Sequence, residues 1–370
     1  MAWSNSGPHD DPPPGAPEPR AGQGPGKVSR AQFDARFRRR FFDPAFEAHD
    51  DAIAALSGIA WEAYSEGRKE PRTRKAGPGF ADPEFELSTD WLQAREDILR
   101  AQARHDDPAG PPRALLVCGS PRNDRTCPGE ASKSWRLLCV ARDTLLAEGC
   151  ETDVLDLSHL SSEYGRFIHP CKACVSTAMP LCNWPCSCYP NHALGQVDDW
   201  MAEIYPRWVA AHGILLVTPV HWFQVPSTLK LMIDRLVCAD GGNPDPTRTH
   251  GKNARAAKAL ELQGWDYPRH LAGRSYAVVA HGDAEGVDAV ARALDDWLTA
   301  MHLVRAGGAA VVGRYLGYFR PYATSHEDLD ADAALHEEVR NAARTLARHV
   351  AQRRAGARAP DEGLQDPRPK

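Results

Sequence analysis

From Arg113 onward the chain alternates short, almost unbroken apolar runs with longer amphipathic stretches, and this alternation restricts the fold more than any other feature. The runs lie at 114–118, 152–156, 213–218, 275–280 and 309–313. A strand with one wet face alternates apolar and polar residues, whereas a strand covered by helices on both faces reads as a continuous apolar run. The stretches at 134–148, 193–211, 226–236, 285–302 and 329–355 carry helical spacing. Five such pairs predict a doubly wound α/β domain with a parallel sheet over 113–355. In that architecture ligands lie beyond the carboxyl ends of the strands, near the switch in strand order, so the loops there are where chemistry belongs.

The 370 residues allow two domains of about 150 residues, or one large domain with extensions. Residues 1–27 contain seven prolines and few large apolar side chains. Such a segment cannot repay the entropy of ordering, which predicts a disordered tail there and a second one at 356–370. Between 28 and 112, Phe33, Phe37, Phe41, Ile53, Trp61 and Trp91 are spaced among charges as in helices, with Ser88-Thr89-Asp90 as an N-cap, predicting a helical extension and linker. Lys plus Arg is 44 against 49 for Asp plus Glu, a net charge of −5. A reader of nucleic-acid backbones carries a basic excess, so no nucleic-acid partner is expected. No apolar stretch approaches the roughly 20 residues that span a bilayer, and the first residues lack the order of a secretory signal. The expectation is a cytoplasmic protein without membrane attachment.

Three loops offer binding groups. After the first strand, Gly119-Ser120-Pro121-Arg122-Asn123 leads through 123–131 to Ser132-Lys133-Ser134 at a helix start. This is neither the dinucleotide fingerprint nor a Walker A loop, yet hydroxyls and a helix N-terminus converge as phosphate donors do. After the third strand, Pro219-Val220-His221-Trp222-Phe223-Gln224-Val225-Pro226 is stiffened by two prolines and presents aromatic groups to a flat heterocycle. His281-Gly282-Asp283 follows the fourth strand.

Gly119-Ser120-Pro121-Arg122, Pro219-Val220-His221-Trp222, and Leu229-Lys230 followed by Ile233-Asp234-Arg235 together resemble the flavodoxin-like NAD(P)H-dependent FMN reductases. The resemblance covers about 113–350. It implies a five-stranded parallel sheet of order 2-1-3-4-5, noncovalent FMN, NADPH or NADH as donor, a small-molecule electron acceptor such as a flavin or quinone, and a homodimer. It places Ser120, Arg122, Ser132 and Ser134 at the phosphate. Pro219, Val220, His221, Trp222 and Phe223 would flank the ring, and His281, Gly282 and Asp283 would close the site. The inserted 123–131 leaves the choice between Ser132 and Ser134 open. Lys230, Asp234 and Arg235 read as an ion-pair network.

Hydride transfer between nicotinamide and flavin needs stacked rings and no acid–base dyad. Amides of the 220–223 loop would stabilise charge on a reduced ring. His221 is the candidate catalytic group, either protonating an acceptor or positioning it. The alternative function is an FMN electron-transfer or regulatory protein without NAD(P)H turnover.

Half of the ten cysteines crowd together as Cys171, Cys174, Cys182, Cys186 and Cys188. Iron–sulfur flavoproteins, which the chain also resembles, hold a [4Fe–4S] cluster on a compact cysteine motif in this region. Three readings stay open for the segment 169–192: such a cluster, a structural zinc ion, or a set of thiols without metal.

Overall fold

The computed structural model describes residues 17–356 apart from 25, 284, 318 and 319, so most of both expected tails lies outside the described residues. The chain divides into two compact units. One gathers the described residues up to Glu96 with Cys171–Asp199 and Gly241–Pro268; the other gathers Asp97–Pro170, Trp200–Asp240 and the chain from Arg269 onward.

The second unit carries the sheet: β1 Arg113–Cys118, β2 Glu151–Asp156, β3 Gly213–Pro219, β4 Ser275–Gly282, β5 Val304–Arg305 and β6 Val311–Tyr315. All pairings are parallel, in the order β2-β1-β3-β4-β5, with β6 also paired to β4. This is the flavodoxin-like order with its last position shared between two short strands. The expected single fifth strand is split. Gly307 and Gly308 have no side chains to pack as a strand, and the chain makes a 3-10 turn at Gly308–Ala310 before β6.

The buried runs explain the layers. In β1, β3 and β4 alternate residues face opposite sides, and both sides are covered. Leu116, Leu215, Val217, Ala277 and Val279 pack with Leu137, Leu138 and Leu145 of helix Lys133–Ala147 and with Val339, Leu346 and Val350 of helix Ala333–Arg354. Helices Met201–Ala210 and Val287–Ala300 bring Trp208 and Trp297 edge to face at 6.1 Å.

Two expected helices are shorter than their periodicity. The stretch 193–211 becomes helical only at Met201–Ala210, because Gly195 and Asp198 sit in the left-handed region. The stretch 329–355 breaks at Asp332, whose carboxylate accepts from the Leu335 N–H at 2.9 Å and starts a new helix. No described helix is long and apolar enough to cross a membrane.

The first unit holds helices Arg30–Arg38 and Asp50–Glu66, the start of helix Thr89–Asp106, and an unanticipated antiparallel ribbon, Thr73–Lys75 against Glu86–Ser88. Phe33 meets Trp61 and Tyr64 at 5.4 and 5.2 Å. Leu87, Trp91 and Leu92 form a second small core, and the Trp91 indole donates to the Pro185 carbonyl at 2.7 Å.

At the amino-terminal ends of β1 and β3, the rings of His105 and His212 stack 4.6 Å apart. The Arg113 N–H donates to His212 Nδ1 at 3.0 Å, and His212 Nε2 lies 2.9 Å from the His105 carbonyl and against the Arg354 guanidinium. Burial holds both imidazoles down at about 4, aided by the Arg274 charge beside His105 and the Arg354 charge beside His212. The unfolded chain takes up protons near 6.5, so this contribution is full above that pH and is lost as pH falls from 6.5 towards 4. For His212 the difference is worth about 3 kcal/mol. Thermal unfolding should therefore shift sharply downward between pH 6.5 and 4.5, and His212→Gln should flatten that dependence. An unaltered pH slope in the variant would refute the assignment.

Candidate functional site

The β1 and β3 loops touch because Gly119 has no side chain: a Cβ there would lie 2.8 Å from Thr218 Oγ1 and 2.9 Å from Leu229 Cδ2. Directly after it, the buried Ser120 Oγ accepts from the Arg122 N–H at 3.2 Å and turns the chain. The Arg122 guanidinium lies 5.2 Å from the Tyr322 ring centre and donates through Nη2 to the Tyr322 hydroxyl, while its Nε is buried without a hydrogen-bond partner.

Ser132 caps helix Lys133–Ala147, its Oγ accepting from the Trp135 N–H at 3.2 Å. The amides of Lys133 and Ser134 in that first turn have no acceptor within the helix. Lys133 places an ammonium at the positive end of the helix dipole, an unfavourable position unless an anion joins it. Burial pulls its pKa below the usual lysine value, partly opposed by Asp283 and Asp328. Its Nζ lies 5.9 Å over the same Tyr322 ring.

Opposite this cradle, β3 ends at Pro219. The Val220 N–H donates to the His281 carbonyl at 2.8 Å, and His221 and Gln224 exchange two N–H to carbonyl bonds at 2.9 Å. These bonds make Trp222 and Phe223 the central residues of a two-residue turn, both at positive φ, 49° and 65°. Such a turn normally takes Asn-Gly, so two large aromatics there are strained. Gly286 accommodates the turn, since a Cβ at that position would stand 3.0 Å from Phe223 Cα. His281 is buried and bonded through Nε2 to Ser134 Oγ at 2.8 Å. Burial, then the Lys133 charge, holds it down at about 3, so its ring is neutral.

One recess brings together Ser120, Arg122, Ser132 and Ser134 with Pro219, Val220, His221, His281, Gly282 and Asp283. Ser132 Oγ accepts as a helix cap, and Ser134 Oγ is bonded to His281 Nε2. Trp222 and Phe223 do not line the recess; they stand 92% and 57% exposed on their turn. The expectation that loop amides reach a ring narrows too, because the Val220 and His221 N–H groups are already committed. Lys133 joins the lining, as do Leu316 and Tyr322 from the aromatic loop 315–322, whose sequence is open between covering a flavin, facing a partner subunit and anchoring the last helix. A basic residue in the first turn of a helix was a readable signal for Lys133. Lys230 pairs with Asp234 one helical turn on, at 2.5 Å, and the buried Arg235 donates to the His169 carbonyl at 3.0 Å.

The cysteine segment belongs to the other unit. Among the described residues no three His, Cys, Asp or Glu side chains are grouped to hold a metal ion. Cys188 and Cys174 instead face the Lys252 ammonium at 3.0 and 3.8 Å. As arranged, this donor set does not fit the expected cluster or zinc ion.

The family model for NADPH-dependent FMN reductase matches residues 112–316, more than half of the chain. An iron–sulfur flavoprotein of Methanosarcina thermophila is 30% identical over 121 residues, 33% of this chain and 50% of the relative, so the chain spans about half the length of that relative. Among solved structures, the NAD(P)H:quinone oxidoreductase from Methanothermobacter marburgensis overlaps 63% of this chain and 96% of its own at 16% identity and a TM-score of 0.40. RosB with a bound 8-demethyl-8-formylriboflavin-5′-phosphate intermediate overlaps 67% and 82% at 12% identity and a TM-score of 0.42. The strand order, rather than these overlaps, carries the fold. The matched span, which contains every described strand of the sheet, places the chain in the NADPH-dependent FMN reductase family.

Proposed function

We propose that the recess between the β1, β3 and β4 loops holds FMN and that the protein passes reducing equivalents from NADPH or NADH to a small-molecule acceptor such as a flavin or quinone. The observation that carries this reading is the buried, unpartnered Arg122 Nε beside the Lys133 ammonium at the start of helix Lys133–Ala147. Two cations beside a helix N-terminus are complementary to a phosphate dianion. The residues fit the group.

Bound FMN would supply the hydride-accepting ring and return the reducing equivalents to the acceptor. The chain's own part is to bind and orient. Arg122 and Lys133 neutralise the phosphate, and the Lys133 and Ser134 amides donate to it. Tyr322, in contact with both cations, keeps them facing inward. Pro219, Val220 and Gly282 form a stiff wall for the ring. The His221 imidazole is held below its usual pKa by partial burial and by Arg122, so at neutral pH it orients a ligand through hydrogen bonds rather than as a charged acid. Trp222 and Phe223, projecting past that wall, would stack on the incoming nicotinamide or acceptor rather than on the flavin. The same reading takes the protein as a cytoplasmic homodimer, which family membership supports and sedimentation would test.

Arg122→Met and Lys133→Met should each weaken FMN binding by about 10- to 100-fold, the worth of one charge-assisted contact, with circular dichroism unchanged. Fluorescence titration of the apoprotein with FMN measures this; unaltered affinity in both variants removes the phosphate cradle.

Steady-state assays of FMN-loaded protein with NADPH or NADH and a quinone or free FMN should show turnover. Trp222→Ala and Phe223→Ala should raise KM for donor or acceptor while leaving FMN affinity alone. Protein that holds FMN yet oxidises neither nucleotide would instead be an electron carrier or regulatory flavoprotein.

A further inference from the structure

We propose that Cys174 and Cys188 are a lysine-clamped dithiol that closes to a disulfide by exchange with a low-molecular-weight disulfide. Three observations within the first unit carry this. The Lys252 ammonium touches both sulfurs, 3.0 Å from Cys188 Sγ and 3.8 Å from Cys174 Sγ. One ammonium reaches both sulfurs, so the two are neighbours although their positions differ by 14 in the sequence. Both open onto a recess of about 150 Å³ that Leu87 and Trp91 help to wall, enough for the alkyl end of a small disulfide.

A fixed positive charge against two of the sulfurs favours a bare thiolate. Its neighbours are otherwise engaged: the Lys69 ammonium pairs with Glu70 at 2.8 Å and donates to the Ser187 carbonyl, and Lys172 lies 5.3 Å over the Tyr189 ring. The Lys252 charge against both sulfurs eases the loss of a proton from either. Cys174 is also the less buried of the pair, which makes it the attacking group.

In the first step the Cys174 thiolate attacks one sulfur of the small disulfide, whose S–S bond breaks and releases one thiolate. Cys188 then loses its proton to solvent and attacks Cys174 Sγ, expelling the second thiolate. The two cysteines give up two electrons, the small disulfide gains them, and the two thiol protons end on the two released thiols. Lys252 stays charged throughout. Once both sulfurs are joined, neither offers it an anion, so the reduced pair is the favoured state and the disulfide reopens readily with a small thiol.

The full-length protein, purified anaerobically, should contain less than stoichiometric iron and zinc. Incubation with oxidised glutathione should remove two titratable thiols, and peptide mapping should place a Cys174–Cys188 cross-link. Cys188→Ser should trap glutathione on Cys174, and Cys174→Ser should leave Cys188 unmodified. Lys252→Met should slow alkylation of Cys174 at pH 7 about tenfold, and Lys252→Arg should restore it. Stoichiometric metal, a cross-link between other cysteines, or an alkylation rate indifferent to Lys252→Met would overturn the proposal. None of these readouts depends on FMN binding or turnover, so the flavin reading stands or falls separately.

Discussion

Strands buried on both faces can present polar groups to a ligand only at their ends, and that constraint organises the second unit. β1, β3 and β4 are apolar almost throughout and are sealed by helices on each side. Their carboxyl ends then supply every loop of the recess, and the close contact at Gly119 fixes how near the β1 and β3 loops can come. The opposite ends do different work. There the stacked His105 and His212 close the sheet with neutral rings beside three arginines, Arg113, Arg274 and Arg354. One end of the sheet thus holds cations facing an opening, and the other holds neutral imidazoles that resist a proton.

Much of this was written in the local pattern. The first four apolar runs became strands displaced by at most two residues, because continuous burial leaves a signature that does not depend on distant partners. The loops after β1, β3 and β4 were placed correctly for the same reason. What the pattern did not carry was set by backbone conformation or by remote contacts. Trp222 and Phe223 read as aromatics for a flat ring, yet a left-handed turn, invisible in residue types that normally avoid it, carries them out of the recess. Tyr322 meets Arg122 across 200 residues of sequence, and no local spacing announces such a pair. The split of the last strand position likewise came from a glycine pair whose effect is felt only when a partner strand is present.

The cysteine segment shows the same limit more sharply. Five thiols within eighteen residues invite a metal when only their own spacing is considered. The side chain that changes their chemistry, Lys252, arrives from 64 residues beyond Cys188 and 78 beyond Cys174. A thiol motif specifies donors, and the nearest fixed charge changes how readily those donors give up a proton. Here that charge is positive and partly shielded from water.

Electrostatics also separates the serines of the cradle from its cations. Ser120, Ser132 and Ser134 carry the residue types expected of a phosphate loop, yet their hydroxyls turn the chain, cap a helix and anchor a neutral histidine. Each therefore acts on geometry. The attraction for an anion falls to Arg122, Lys133 and the first-turn amides, whose charges have been assembled at a cost: a guanidinium nitrogen without a partner, and an ammonium partly desolvated at the wrong end of a helix dipole. Each feature is unfavourable in isolation and becomes favourable when a doubly charged group lies between them. Serines that shape and cations that bind form one device, and removing either kind should fail differently: the first by misplacing the ligand, the second by losing it.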